Sequence, residues 1–160
     1  DQYIQGTYTF TPSEQLGFDI FNNEQGDCFH CHGLATTGYQ LGAHGLLQFT
    51  NNGLDSVYVV GAGREAVTGD PSDRGKFKVP SLRNVEYSYP YMHDGRFQTL
   101  AEVLDFYEMG GHPSPTLDPN MKAVGIGRNW SIAQKQGLLD FLKTFSDSDF
   151  LTDTSFTDPW

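Results

Sequence analysis

A mainly α fold of short helices and long loops is what this sequence predicts, and three observations predict it. Three stretches read as capped helix starts: Thr11-Pro12-Ser13-Glu14, Thr99-Leu100-Ala101-Glu102, and Ser131 with Gln134 three residues on. Only 38 % of the 160 residues are hydrophobic, while glycine, proline and aromatic residues are plentiful, so the chain needs help in building a core. Finally, Cys28-Phe29-His30-Cys31-His32 spends both cysteines of the chain on a C-x-x-C-H pattern, the attachment sequence of a c-type haem. A flat porphyrin would supply the missing apolar surface. The predicted class is a c-type cytochrome domain wrapped around one covalent haem.

The spacing in that motif has a chemical reason. Two thiols three residues apart can each add to one vinyl group of the same porphyrin, and the adjoining histidine then reaches the iron from the proximal side. A closed zinc site needs four ligands, and the chain has no second cysteine pair. A thioredoxin-type redox pair belongs in a βαβ context, which the flanking residues do not offer.

In chain order, Thr11 caps the first helix, Pro12 suits its first position and Glu14 closes a capping box. Leu16, Ile20 and Phe21 give it an apolar stripe, and Gly26 is expected to end it. Residues 33–73, rich in Gly, Thr and Asn, read as loop with one short β-like run, Val57-Tyr58-Val59-Val60. The helix opened by Thr99 carries Leu100, Val103, Leu104 and Tyr107 on one face and stops at Gly110-Gly111. The third helix runs from near Ser131 to about Phe145, with Leu138, Phe141, Leu142 and Phe145 as its buried stripe. Residues 119–128 form a connector, and the last dozen residues read as a tail.

The formal net charge of −10 argues against a nucleic-acid partner, which needs a basic surface. An acidic surface would steer a basic protein partner instead. No apolar run approaches membrane-spanning length. Thioether attachment of haem takes place outside the bacterial cytoplasm, so an exported, periplasmic protein whose leader has been removed is expected.

Phe77-Lys78-Val79-Pro80-Ser81-Leu82-Arg83-Asn84-Val85 is followed by Pro90-Tyr91-Met92-His93-Asp94-Gly95, Thr99-Leu100 and Phe106-Tyr107-Glu108-Met109-Gly110-Gly111. Together these resemble the C-terminal haem domain of the bacterial di-haem cytochrome c peroxidase and MauG family, over residues 1 to about 150. Asp1-Gln2-Tyr3-Ile4-Gln5-Gly6 is similar to the segment that joins the two haem domains there. The resemblance implies an inter-domain linker over 1–10, a cytochrome c domain over 11–150 and a tail over 151–160. It also implies a division of labour in which the N-terminal haem meets hydrogen peroxide. The C-terminal haem takes electrons from a small cytochrome or copper protein. The chain would then be the electron-relay half of a larger protein, with the N-terminal haem domain as its partner, and inactive as a peroxidase alone. The rival readings are a free-standing monohaem electron carrier and an open-site haem that binds small ligands or peroxide.

His32 supplies one axial bond, which leaves the sixth ligand to be found among Tyr107, Met109, Met92, His30, His44, His93 and His112. His30 lies between the anchoring cysteines and is badly placed for the far face of the iron. His44 sits in a Gly-rich loop, and His93 resembles a structural or propionate-side residue of the family. Met/His ligation is common in c-type cytochromes, which keeps Met92 and Met109 open. A gapless alignment from His93-Asp94-Gly95 puts Tyr107 at the family's axial position, which is Met in the peroxidase branch and Tyr in the MauG-like branch. Tyr107 also continues the stripe of its helix, whereas Met109 points past the opposite side at about 100° per residue. Tyr107 is therefore the first choice. Arg83, Lys76 and Lys78 are candidates to meet the haem propionates. The resemblance further implies that backbone carbonyls of Ser88 and Pro90 help bind calcium between the two domains. Asp70/Asp73 and Asp147/Asp149 read as solvated faces.

Overall fold

In the computed structural model, which describes residues 2–33 and 48–156, the first helix, α1 (Pro12–Phe21), starts where its residues dictate. The Thr11 hydroxyl accepts from the Glu14 amide, and the Glu14 carboxylate accepts from the Thr11 amide at 2.7 Å. The chain continues through α2 (Phe29–His32), β1 (Phe49–Thr50), α3 (Glu65–Thr68), β2 (Phe77–Lys78), α4 (Leu100–Met109), α5 (Ile132–Lys143) and α6 (Ser148–Thr152). Strands β1 and β2 pair antiparallel, Phe49 opposite Lys78 and Thr50 opposite Phe77. The rest of the described residues form loops and short 3₁₀ turns, so what is described is mostly helix and loop with one small sheet. Among the described residues, no helix is long and apolar enough to cross a membrane.

The core forms where α1 crosses α5. Ile20 and Phe21 meet Leu138, Phe141 and Leu142 there, and Leu100 and Leu104 of α4 close the cluster with Trp130. Gly17 and Gly137 let the two backbones touch: a methyl group on Gly17 would overlap the Gly137 carbonyl. The Ser13 hydroxyl donates to the Asp140 carboxylate across the same crossing at 2.6 Å. Residues ahead of α1 pack on it as well, with the Tyr3 and Phe10 rings stacked at 4.3 Å and Phe10 against Phe141. Helix α4 is capped by Thr99 and Glu102 and stopped by Gly110 at φ +92°, and α5 carries the Ser131/Gln134 box.

Four features differ from the sequence expectation. Helix α1 ends at Asn22 rather than Gly26, because the Asn22 backbone and side-chain N–H groups both donate to the Phe18 carbonyl. Gly26 instead belongs to the following turn, where a side chain would collide with the Ile20 carbonyl. The run Val57-Tyr58-Val59-Val60 is not a strand. Its valines are all exposed, and only Tyr58 is anchored, by a hydroxyl donating to Asn51 Oδ1 at 3.1 Å. The stretch read as loop holds α3, fixed by the buried Glu65 carboxylate, which accepts from Arg74 at 2.7 and 2.8 Å and from the Gly61 amide. Strands β1 and β2 are likewise absent from the sequence expectation; beyond them α6 is capped by the Asp147 carboxylate.

Candidate haem site

Cys28, Cys31 and His32 are gathered by the single turn α2. Cys28 takes the N-cap position, and its carbonyl accepts from the His32 amide at 2.9 Å. All three side chains are half-buried. The His32 ring donates to the Pro80 carbonyl in the segment after β2, while burial pushes its pKa down to about 4. At neutral pH the imidazole is thus uncharged, with one nitrogen committed to the backbone and the other carrying a lone pair, the state that ligates a metal. Burial also pushes the thiols up, to about 12 for Cys28 and about 11 for Cys31. That is the reverse of a Cys-x-x-Cys redox pair, whose thiol pKa is depressed.

His30 turns to Asp27, whose Oδ1 lies 2.5 Å from its Nδ1. Asp27 is buried and also faces Lys122 at 3.6 Å and Arg128 at 3.9 Å. The Arg128 side chain is only 7 % exposed, and its charge partly opposes the upward push that burial gives both Cys28 and Tyr107.

Tyr107 lies on the last turn of α4, packed against the core. Burial pushes its hydroxyl up to about 12, opposed by an N–H from Asn52 Nδ2 at 3.1 Å and reinforced by the nearby thiols of Cys31 and Cys28. The Met92 sulfur lies 3.7 Å from that same Asn52 nitrogen. Met109 faces away, 52 % exposed, in a shallow outer cleft with Asp105, His112 and Ile126. His93 is exposed and stacks on Phe77 with ring centroids 3.9 Å apart, and His112 is exposed. His44 lies outside the described residues.

The structure brings Tyr107 near Cys28 and Cys31 and, through Asn52, near Met92. Arg83 is exposed, Lys76 reaches Asp73 at 3.4 Å, and Lys78 donates to the Val79 carbonyl. Ser88 and Pro90 are exposed on either side of Tyr89, and the Ser88 hydroxyl donates to the Val85 carbonyl. Asp70 caps a 3₁₀ turn and Asp73 binds Arg64 at 2.9 Å. Sequence reasoning missed Asn52, Arg128 and the part played by the Pro80 carbonyl. For Asn52 the available signal was Asn51-Asn52-Gly53, a turn-forming triplet inside a stretch read as loop.

The donor set fits a covalent haem. Two un-ionised thiols share one helical turn with a neutral, oriented histidine, and none of the three residues is fully covered by protein. No family model matches the chain. It is 32 % identical over 172 residues to the cytochrome-c peroxidase IdrP1 of Pseudomonas sp. (strain SCT), covering 93 % of this chain and 44 % of that protein. It is 30 % identical over 179 residues to the methylamine utilization protein MauG of Paracoccus denitrificans, covering 92 % of this chain and 46 % of that one. Among solved structures, a MauG-like protein associated with microbial copper homeostasis matches with a TM-score of 0.81 and 36 % identity, over 99 % of this chain and 51 % of that one. A variant of the diheme peroxidase BthA from Burkholderia thailandensis, at 20 % identity, shares the fold with a TM-score of 0.65 over 94 % of this chain and 45 % of that one. The chain spans about half the length of the relatives it matches. From the haem motif, the site around it and these likenesses together, the chain belongs to the di-haem cytochrome c peroxidase and MauG family.

Proposed function

We propose that this chain is the electron-relay half of a di-haem cytochrome c peroxidase or MauG-like oxidase, holding one haem c. Cys28 and Cys31 would hold it through thioethers, and His32 and Tyr107 would ligate its iron. The observation that carries the reading is the convergence on one site of the α2 turn, the His32 ring held by the Pro80 carbonyl and the buried Tyr107 hydroxyl. Held there, a haem would supply reversible one-electron chemistry.

The chain's own residues set the terms of that chemistry. The Pro80 carbonyl keeps the lone pair of His32 directed, and burial keeps the ring neutral. Tyr107 offers a hard oxygen donor, which favours the ferric state over the ferrous, whereas a methionine would favour the reverse. Its half-exposed position on the outer cleft makes Met109 the weaker candidate, and Met92 stays the alternative. Arg83 and Lys76 would meet the propionates. The Ser88 and Pro90 carbonyls would contribute to a calcium ion completed by the other haem domain. Residues 1–10 serve as the linker to that domain, and 11–150 as the cytochrome fold. The partners are the N-terminal haem domain and a small cytochrome or copper protein as donor, in the periplasm.

Attachment tests the reading. The chain purified from a cell able to mature c-type cytochromes should carry one haem's added mass and keep it through acid–acetone extraction. Cys28→Ser or Cys31→Ser should leave one thioether. Haem that washes out of the unaltered chain, or a mass without it, overturns the reading.

A further inference from the structure

Asn52 is held from both sides. Its neighbour Asn51, 1 % exposed, donates to Ser114 Oγ at 2.8 Å and to Thr116 Oγ1 at 2.9 Å. Asn51 Oδ1 accepts from the Gly53 amide and the Tyr58 hydroxyl, and the Asn51 carbonyl accepts from the Asp118 amide. On the other flank, the Gly53 carbonyl accepts from the His112 amide at 2.7 Å. Gly53 itself needs φ +71°, and a side chain there would crowd the His112 carbonyl. The triplet is thereby clamped onto the loop that leaves the C-terminal end of α4, the helix whose last turn carries Tyr107.

The amide so positioned has two N–H groups and two neighbours. One is the Tyr107 oxygen at 3.1 Å, and the other is the Met92 sulfur at 3.7 Å. Thioether sulfur is a weak acceptor, so the Tyr107 bond dominates and the sulfur contact is the minor one. Met92 is also held at φ +71°, a left-handed conformation that side chains rarely adopt and that persists only where the surroundings impose it. Thus one side-chain amide touches both residues of this neighbourhood that are able to bind iron as second axial ligand.

We propose that Asn52 is the positioning residue of the sixth-ligand site, presenting the Tyr107 oxygen and holding the Met92 sulfur back from it. It binds no iron itself. It decides between a hard oxygen and a soft sulfur donor by where its amide keeps each. This inference rests on the reading of a covalent haem ligated by His32.

The test uses the haem-loaded chain and reads ligand identity by ferric absorption and paramagnetic resonance spectra, after the added haem mass has been verified. Absence of that mass would count against the functional reading and would be recognised before any ligand is assigned. In the unaltered protein no iron–thioether absorption is expected at the red end of the spectrum. Asn52→Leu, close in size but without donors, should gain that absorption, and Asn52→Leu combined with Met92→Leu should lose it again. Asn52→Gln, which keeps the amide, should restore the parent spectrum at least in part. Should Asn52→Leu fail to fold, Asn52→Ser, too short to reach both neighbours, replaces it with the same expectation. A parent-like spectrum in the donor-free variant, with haem attached, overturns the proposal. So does a change of spin state to which Met92→Leu makes no difference, since the sulfur would then not be in competition.

Discussion

Tyr107 and Met109 are two positions apart on α4 and face opposite ways, one against the core and the other half exposed on the outer cleft. That much was legible in the sequence, because a capped helix fixes its own phase and about 200° separates the two side chains. Axial ligation by Tyr107 has a direct check. In Tyr107→Phe the oxygen is gone and the ring remains, so the ferric protein should turn high-spin and take up cyanide readily, while Met109→Leu leaves the spectrum as it was. A low-spin spectrum retained in Tyr107→Phe would assign the ligand to another residue. What the sequence concealed at this scale is of a different kind. The Pro80 carbonyl orients His32 through a backbone atom that every residue possesses, so no residue type announces it. Asn52 acts through a loop whose placement depends on Ser114, Thr116 and His112, far along the chain.

Elements were readable where their signals are local. The three capping boxes each relate residues three apart, and all three form as the sequence predicts. The strands were not readable, because each pairs only two residues and its partner lies far away in sequence. The β-branched run at Val57 misled for the complementary reason: propensity without a partner edge makes no strand. The α1–α5 crossing yields a quantitative expectation. Gly17→Ala pushes a methyl group into the Gly137 carbonyl and against the Phe141 side chain. Overpacking of rigid backbone should cost about 3 kcal/mol, a fall in Tm of roughly 6–12 °C. Gly137→Ala meets its nearest neighbours at 3.0–3.3 Å, and a helix-propensity gain of about 1 kcal/mol offsets part of the strain. Thermal unfolding of the two variants should therefore differ clearly, with Gly17→Ala the worse; equal melting temperatures would refute the backbone contact.

At the scale of the whole molecule, the fold and family were legible while the division of labour rests on resemblance. Half the length of its relatives matches this chain, and within that half the site offers one histidine, one tyrosine and one haem motif. If the chain is the relay half, it should exchange single electrons reversibly yet turn over hydrogen peroxide poorly. Stopped-flow reduction and steady-state peroxide consumption, measured on pure monomeric material with a reduced donor, check both. Turnover matching that of a complete two-haem enzyme would return the peroxide chemistry to this chain. The net charge of −10 would make association with a basic donor fall as salt is raised.

The touching glycines of α1 and α5 also bear on time. Gly17 lies just ahead of the Cys28–His32 turn, whereas Gly137 belongs to the last long helix among the described residues. A polypeptide emerging from its N-terminus therefore displays Cys28, Cys31 and His32 well before the surface that seats α1 exists. During that interval the two thiols are free of the burial that later makes them sluggish nucleophiles. The close crossing can form only after α5 has been made, so it would fasten the first helix late and leave the cysteines an interval in which to take a porphyrin.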